Sequence, residues 1–202
     1  MPKVTQAHIE KRKAEILDAA ERVFKRKGFE PTTMKDVVEE SGMSRGGVYS
    51  YFSDTEEMLQ AIHERNIGEV PAILNRLLER HDTVWAALAA FVDSFLEDTD
   101  PGFGIVTYEY SVTAWRDEGR KQFMLRNATH SITAFVDFLQ KGVERGEFRP
   151  LLPLEGIVIF CINVIDGFII QGSIADGEWM RLKDQIESLK LYLRTVLQVN
   201  EA

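Results

Sequence analysis

Apolar side chains recur at helical spacing along almost the whole chain. Ile16, Ala20, Val23 and Phe24 fall at i, i+4, i+7 and i+8, one continuous stripe, and Gly28 follows. This spacing predicts a first helix over 7–27, then short helices over 34–41 and 45–51. A fourth begins near Asp54 and continues through Leu59, Ile62, Asn66, Val70, Ile73 and Leu77. Pro71 lies inside that pattern; it removes a backbone donor and crowds the preceding turn, so a kink or a helix boundary is expected there. The remaining pattern predicts helices over 83–98, 102–116, 118–145, 154–174 and 178–198. Asp100, Pro101 and Gly102 punctuate one junction, Gly146 and Pro150 another. With no strand alternation of useful length and no internal repeat, the fold class is all-α, with about nine helices.

The segment Thr32–Leu59 carries the sharpest local signals. Val37, Val38, Val48 and Phe52 supply an apolar side. Thr33 with Asp36 fits a capping box opening the first short helix, Ser44 fits the N-cap of the second, and Ser53 with Glu56 fits a box opening the long helix. Gly42 stands where the chain turns, and glycine takes positive φ at little cost. Two short helices across a tight turn make a helix-turn-helix, whose second helix must stand clear of the body to enter a major groove.

The residues Thr32, Thr33, Val37, Val38, Gly42, Met43, Ser44, Gly46, Tyr49, Tyr51 and Phe52 resemble the DNA-binding signature of the TetR family of bacterial transcriptional regulators. The likeness is dense over roughly the first 50 residues and continues only as length and helical pattern. It implies a helix-turn-helix domain over 1–53 and a helical ligand-binding and dimerisation domain over 54–202. One departure is Thr55, where the family usually carries a phosphate-contacting lysine.

Phosphate contacts position a protein on DNA and base contacts specify the sequence. Thr33 can offer its hydroxyl and the helix N-terminus to phosphate, with Thr32 beside it, and Ser44 can act likewise. Arg45 is the long donor at the start of the recognition helix and can bond bidentately to guanine. Gly46 and Gly47 allow close approach but weaken the helix by roughly 1 kcal/mol each against alanine. Tyr49 and Tyr51 can reach phosphate with their hydroxyls or serve as packing aromatics, and Lys35 is either a contact or a solvated charge. The resemblance implies that Thr33, Ser44, Arg45, Gly47, Tyr49 and Tyr51 face DNA.

The net charge of −8 does not oppose this, because it is unevenly placed. Residues 1–52 hold ten basic and eight acidic residues, net +2, and residues 53–202 hold fourteen and twenty-four, net −10. Lys11, Arg12 and Lys13 are expected to clamp the DNA backbone; Lys25, Arg26 and Lys27 are expected to complement a helix C-terminus. The single cysteine, Cys161, excludes an intramolecular disulfide and is expected to pack as a small hydrophobe. No 18-residue apolar run and no leader-like N-terminus are present, so no membrane span and a cytoplasmic location are expected.

One helix-turn-helix makes few contacts, so a homodimer on a two-fold operator is expected. Leu182, Ile186, Leu189, Leu193 and Val196 form an a/d-like seam, and Phe160, Val164 and Phe168 lie on a helix apolar almost all round. These are the dimer candidates. For a small-molecule effector, lipophilic by its aromatic walls, the candidate lining is Tyr108, Trp115, Phe123, Asn127, His130 and Phe138. Asn163 and Asp166 can face either the pocket or a partner subunit. His8, His63, His81 and His130 lack metal-ligand spacing, and phosphate-loop and nucleophile motifs are missing, so neither enzyme nor cofactor is expected. The function expected is a ligand-released dimeric repressor on a palindromic operator. Its alternatives are a constitutive DNA-binding dimer and an enzyme with an accessory DNA head.

Overall fold

The structure, a computed structural model, describes residues 5–97 and 102–200. Among these residues it contains helices and no strand: α1 Gln6–Lys27, α2 Met34–Ser41, α3 Arg45–Tyr49, α4 Thr55–Arg80, α5 Val84–Glu97, α6 Gly102–Thr113, α7 Glu118–Glu144, α8 Leu154–Gly172 and α9 Leu182–Val196. A short 3-10 turn, Ala114–Arg116, follows α6. The expected junction at Asp100 and Pro101 lies outside the described residues. Some boundaries differ from expectation. The recognition helix stops at Tyr49, because Tyr51 N–H bonds back to Val48 in a tight turn. α9 starts at Leu182, because Arg181 takes the left-handed conformation and breaks the preceding turn. Of the two outcomes expected at Pro71, the helix boundary is not the one found: Pro71 sits inside α4, which runs on to Arg80.

The chain packs as two compact units, residues up to Asn66 with Val106–Met124, and Ile67–Ile105 with the residues from Leu125 on. In the first unit α1 packs on α2, and the stripe read from the sequence is buried: Ile16, Ala20, Val23 and Phe24 are fully covered, as are Val37, Val48 and Ile62. The α1–α2 turn is held by a carboxylate from α6. Gly28 has φ 85° and lets Glu109 approach, whose Oε2 accepts from Phe29 N–H at 2.7 Å and whose Oε1 accepts from Glu30 N–H at 3.1 Å. A Cβ at Gly28 would lie 2.9 Å from that carboxylate. The α4 cap is shifted by one residue from expectation. Asp54 accepts from Glu57 N–H, and Glu57 returns to Ser53 N–H. Glu56 is therefore free to bind elsewhere: Arg120 donates to it at 2.9 and 3.2 Å and Tyr110 at 2.7 Å.

In the second unit one core joins α5, α7, α8 and α9 through Val84, Leu88, Phe138, Leu139, Ile157 and Leu193. Glu147 caps α5 from a distance, accepting from Val84 N–H and Trp85 N–H. α8 is the one helix among the described residues whose length and composition suffice to cross a membrane, which a count of uninterrupted apolar residues missed. It carries Asn163 and Asp166 and turns Ile157, Val158 and Phe168 inward.

Candidate nucleic-acid interface

The helix-turn-helix is built by its caps. Thr33 and Asp36 form the expected reciprocal box at the α2 N-terminus. Gly42 ends α2 with φ 65°, and a Cβ there would meet nothing within 4 Å, so conformation rather than space asks for glycine. Ser44 then caps α3, its Oγ accepting from Gly47 N–H at 3.1 Å. Arg45, Gly46 and Tyr49 are thereby left on the exposed side of α3 while Val48 is buried. Arg45 stacks its guanidinium over the Tyr49 ring at 5.1 Å, which limits the rotamers of a long side chain before any partner arrives.

The two threonines behave differently from the sequence expectation. Thr32 is 6% exposed and its hydroxyl donates to the Gly28 carbonyl at 2.6 Å. It is thus a tie between α1 and the α1–α2 turn, not an open phosphate ligand. The Thr33 hydroxyl is exposed but donates to Asp36 at 2.7 Å, so only reorientation would turn its proton outward. The Lys27 ammonium, with Thr33, holds the Asp36 carboxyl well below the usual range, so the box stays ionised. Lys35 is exposed and paired loosely with Glu39 at 3.6 Å. Tyr51 is half-buried.

The basic clusters separate by pairing. Lys25 is bridged to Glu21, Arg26 to Glu40 and Lys27 to Asp36, and Arg22 shares Glu40. In the other cluster Arg12 pairs with Glu15, while Lys11 and Lys13 have no ion pair among the described residues. Spacing alone distinguishes these clusters poorly, because the acidic partners Glu40 and Asp36 come from α2.

The body residues read from sequence do not converge on one pocket. Phe123 is buried in the first unit, near Tyr110 and His63. Burial there depresses the His63 imidazole to about 4. Tyr108 and Trp115 belong to the same unit but are 40% and 73% exposed, and Arg116 stacks on Trp115. In the second unit His130 and Phe138 line an open groove of about 550 Å³ with Pro71, Leu74 and Arg126. Asn127 is buried and does not line it, and Asn163 and Asp166 are on the exposed side of α8. The dimer seam is likewise turned inward. Ile186, Leu189, Leu193, Val196 and Phe168 are buried in their own chain's core, with Leu182 and Val164 packed against it. Their period of 3.5 is satisfied within the subunit. Of the dimer candidates Phe160 stays exposed, and it belongs to an open apolar face with Leu151, Leu152, Leu191 and the half-buried Tyr192, the Phe160 and Tyr192 rings lying 4.5 Å apart. The missed residues, Glu109, Arg120 and Glu40, and Glu56, read only as a cap, act through partners 14 to 80 positions away, so no local motif marks these roles.

Comparison with known proteins extends these observations. Residues 16–62 match the bacterial regulatory proteins of the tetR family, and residues 87–183 match the tetracyclin repressor-like C-terminal domain. An uncharacterised helix-turn-helix-type transcriptional regulator of Bacillus subtilis strain 168, YfiR, is 48% identical over 203 residues, covering 99% of this chain and 98% of its own. The helix-turn-helix-type transcriptional repressor AcnR of Corynebacterium diphtheriae is 28% identical over 181 residues, covering 84% of this chain and 85% of its own. Among solved structures, GusR of Salmonella enterica superposes with a TM-score of 0.77 at 18% identity, covering 97% of this chain and 99% of that one. Capped helices around a left-handed glycine, an exposed recognition helix and a full-length relative of this identity lead to one assignment: the chain belongs to the TetR family of helix-turn-helix transcriptional regulators.

Proposed function

We propose that the protein is a ligand-responsive repressor that binds a palindromic operator as a homodimer. The observation that carries this is the exposed N-terminal turn of α3, where Arg45 is stacked on Tyr49 beside a bare glycine backbone. Each subunit lays α3 in a major groove, the two heads about 34–36 Å apart. Arg45 reads guanine, Tyr49, Tyr51, Ser44 and Thr33 bond phosphate, and Lys11 and Lys35 add charge. The open α8–α9 face supports dimerisation, because a contiguous apolar surface of this kind is covered in most soluble proteins. The repressor sign is supported by relatives bearing that name. A small lipophilic molecule held in the helical body releases DNA by binding one arrangement of the two heads better than another.

The test is selection of bound duplexes from a random pool at fixed salt, with Arg45→Ala alongside. An enriched palindrome, lost in the variant, is expected. Salt-sensitive binding without enrichment would sink the proposal.

A further inference from the structure

The open groove at His130 and Phe138 runs between α4 and α7, within the second compact unit, and its charge is unevenly placed. The floor is apolar: Leu74 and Phe138 are buried, with Pro71 and Ala134 half-buried beside them. The rim is polar. Arg126 and His130 stand one helical turn apart on α7, both exposed, and neither has an ion pair or side-chain hydrogen bond among the described residues. Toward the other end Lys141 donates to the Asn75 amide oxygen at 3.1 Å, and Asp137, the one acid in the lining, lies a turn before it. That end is close to neutral, so the unmatched positive charge is confined to the Arg126 end. Residues 53–202 carry a net charge of −10, which makes a cationic end without an acid beside it an exception in the body.

The donors and acceptors of this lining narrow what it can bind. Thr129 and Thr133 also line the groove, but their hydroxyls donate to the Leu125 and Thr129 carbonyls, each at 2.9 Å. Their oxygens are left as acceptors, so an anion has to be held by Arg126 and His130. A guanidinium presents two parallel N–H donors that match a carboxylate. An inorganic anion would leave the apolar floor uncovered, and a neutral hydrocarbon would leave the guanidinium unmatched. A molecule with both parts satisfies both. The volume of about 550 Å³ lies inside the range of roughly 300–1,000 Å³ typical of small-ligand sites.

We propose that the α4–α7 groove binds a small amphipathic organic anion, its carboxylate on Arg126 beside His130 and its apolar part over Leu74, Ala134 and Phe138. This anion is the effector. That role rests on the ligand-responsive reading above, but binding is measured without DNA, so the two fail separately.

The probe is phenylbutyrate, titrated calorimetrically into the full-length protein beside phenylbutanol and phenylbutylamine, which share its hydrocarbon and differ in charge. Phenylbutyrate should bind about fivefold tighter than the alcohol, the upper range for an exposed ion pair, and the amine should bind most weakly. The preference should shrink as sodium chloride is raised to about 0.5 M, because exposed charges are screened. Arg126→Gln should bring acid and alcohol to equal affinity without changing that of the alcohol, and Arg126→Lys should keep part of the difference. Arg80→Gln removes the same charge from an exposed position on α4 outside the groove and should leave the preference intact. Equal affinity of acid and alcohol for the unsubstituted protein overturns the site. So does a preference that survives Arg126→Gln or is lost equally in Arg80→Gln. A preference lost only in Arg126→Gln, with operator affinity unmoved by phenylbutyrate, retains the site and overturns its role as effector.

Discussion

At the scale of single residues, most of the recognition helix explains itself and one position does not. A Cβ at Gly47 would press to 3.2 Å on the Ser44 cap, but one at Gly46 would meet nothing within 4 Å. The fold places no demand on Gly46, and the proposed function supplies one, the close approach of the helix backbone to DNA. Gly46→Ala should therefore raise unfolding free energy by about 1 kcal/mol, read by denaturant titration, while weakening DNA binding. Stabilisation with unchanged DNA affinity would show that the helix backbone does not approach DNA there. His63 gives a second prediction. Its folded value of about 4 lies below the ordinary 6.5, so the unfolded chain binds more protons between those limits. The neutral ring's contribution is complete above the ordinary value and is lost as pH falls toward the folded one, by at most about 1.4 kcal/mol per pH unit. His63→Leu should flatten the stability curve between pH 7 and pH 5, measured as urea midpoints; an unchanged curve would mean the ring is solvated.

At the scale of elements, periodicity located the helices well because each buries one stripe, and α1 matches its stripe residue for residue. It failed where a stripe has two possible destinations. Leu182, Ile186, Leu189 and Leu193 repeat as a coiled-coil seam would, yet a helix folded back on its own chain needs the same repeat. The caps of α2 and α3 were legible because their partners lie within three residues. The brace of α6 on the α1–α2 turn was not, since Glu109 is 80 positions from Phe29. Glu109→Gln keeps the shape but halves the accepting capacity. It should speed amide exchange at Phe29 and Glu30 and cost about 1–3 kcal/mol of stability. Unaltered exchange at both amides would refute the brace.

At the scale of the whole molecule, α9 presents two faces whose substitutions should separate cleanly. Leu191 is 67% exposed and Leu193 is 3% exposed. Leu191→Asp should yield a folded monomer by light scattering with weakened operator binding, whereas Leu193→Ala should cost about 2–5 kcal/mol of stability. A Leu191→Asp protein that stays dimeric would move the interface elsewhere. The ion pairs on α1 and α2 have a consequence for how the molecule finds DNA. Affinity from phosphate neutralisation grows with the number of counterions displaced, and log K falls with log salt at a slope of roughly −0.9 per neutralised phosphate. Arg22, Lys25, Arg26 and Lys27 are already matched by Glu21, Asp36 and Glu40, so they release few counterions. Affinity for arbitrary duplex should thus be low and its ionic-strength dependence shallow. The protein would then spend little time on non-operator DNA, and occupancy of its operator would change little as cellular salt varies.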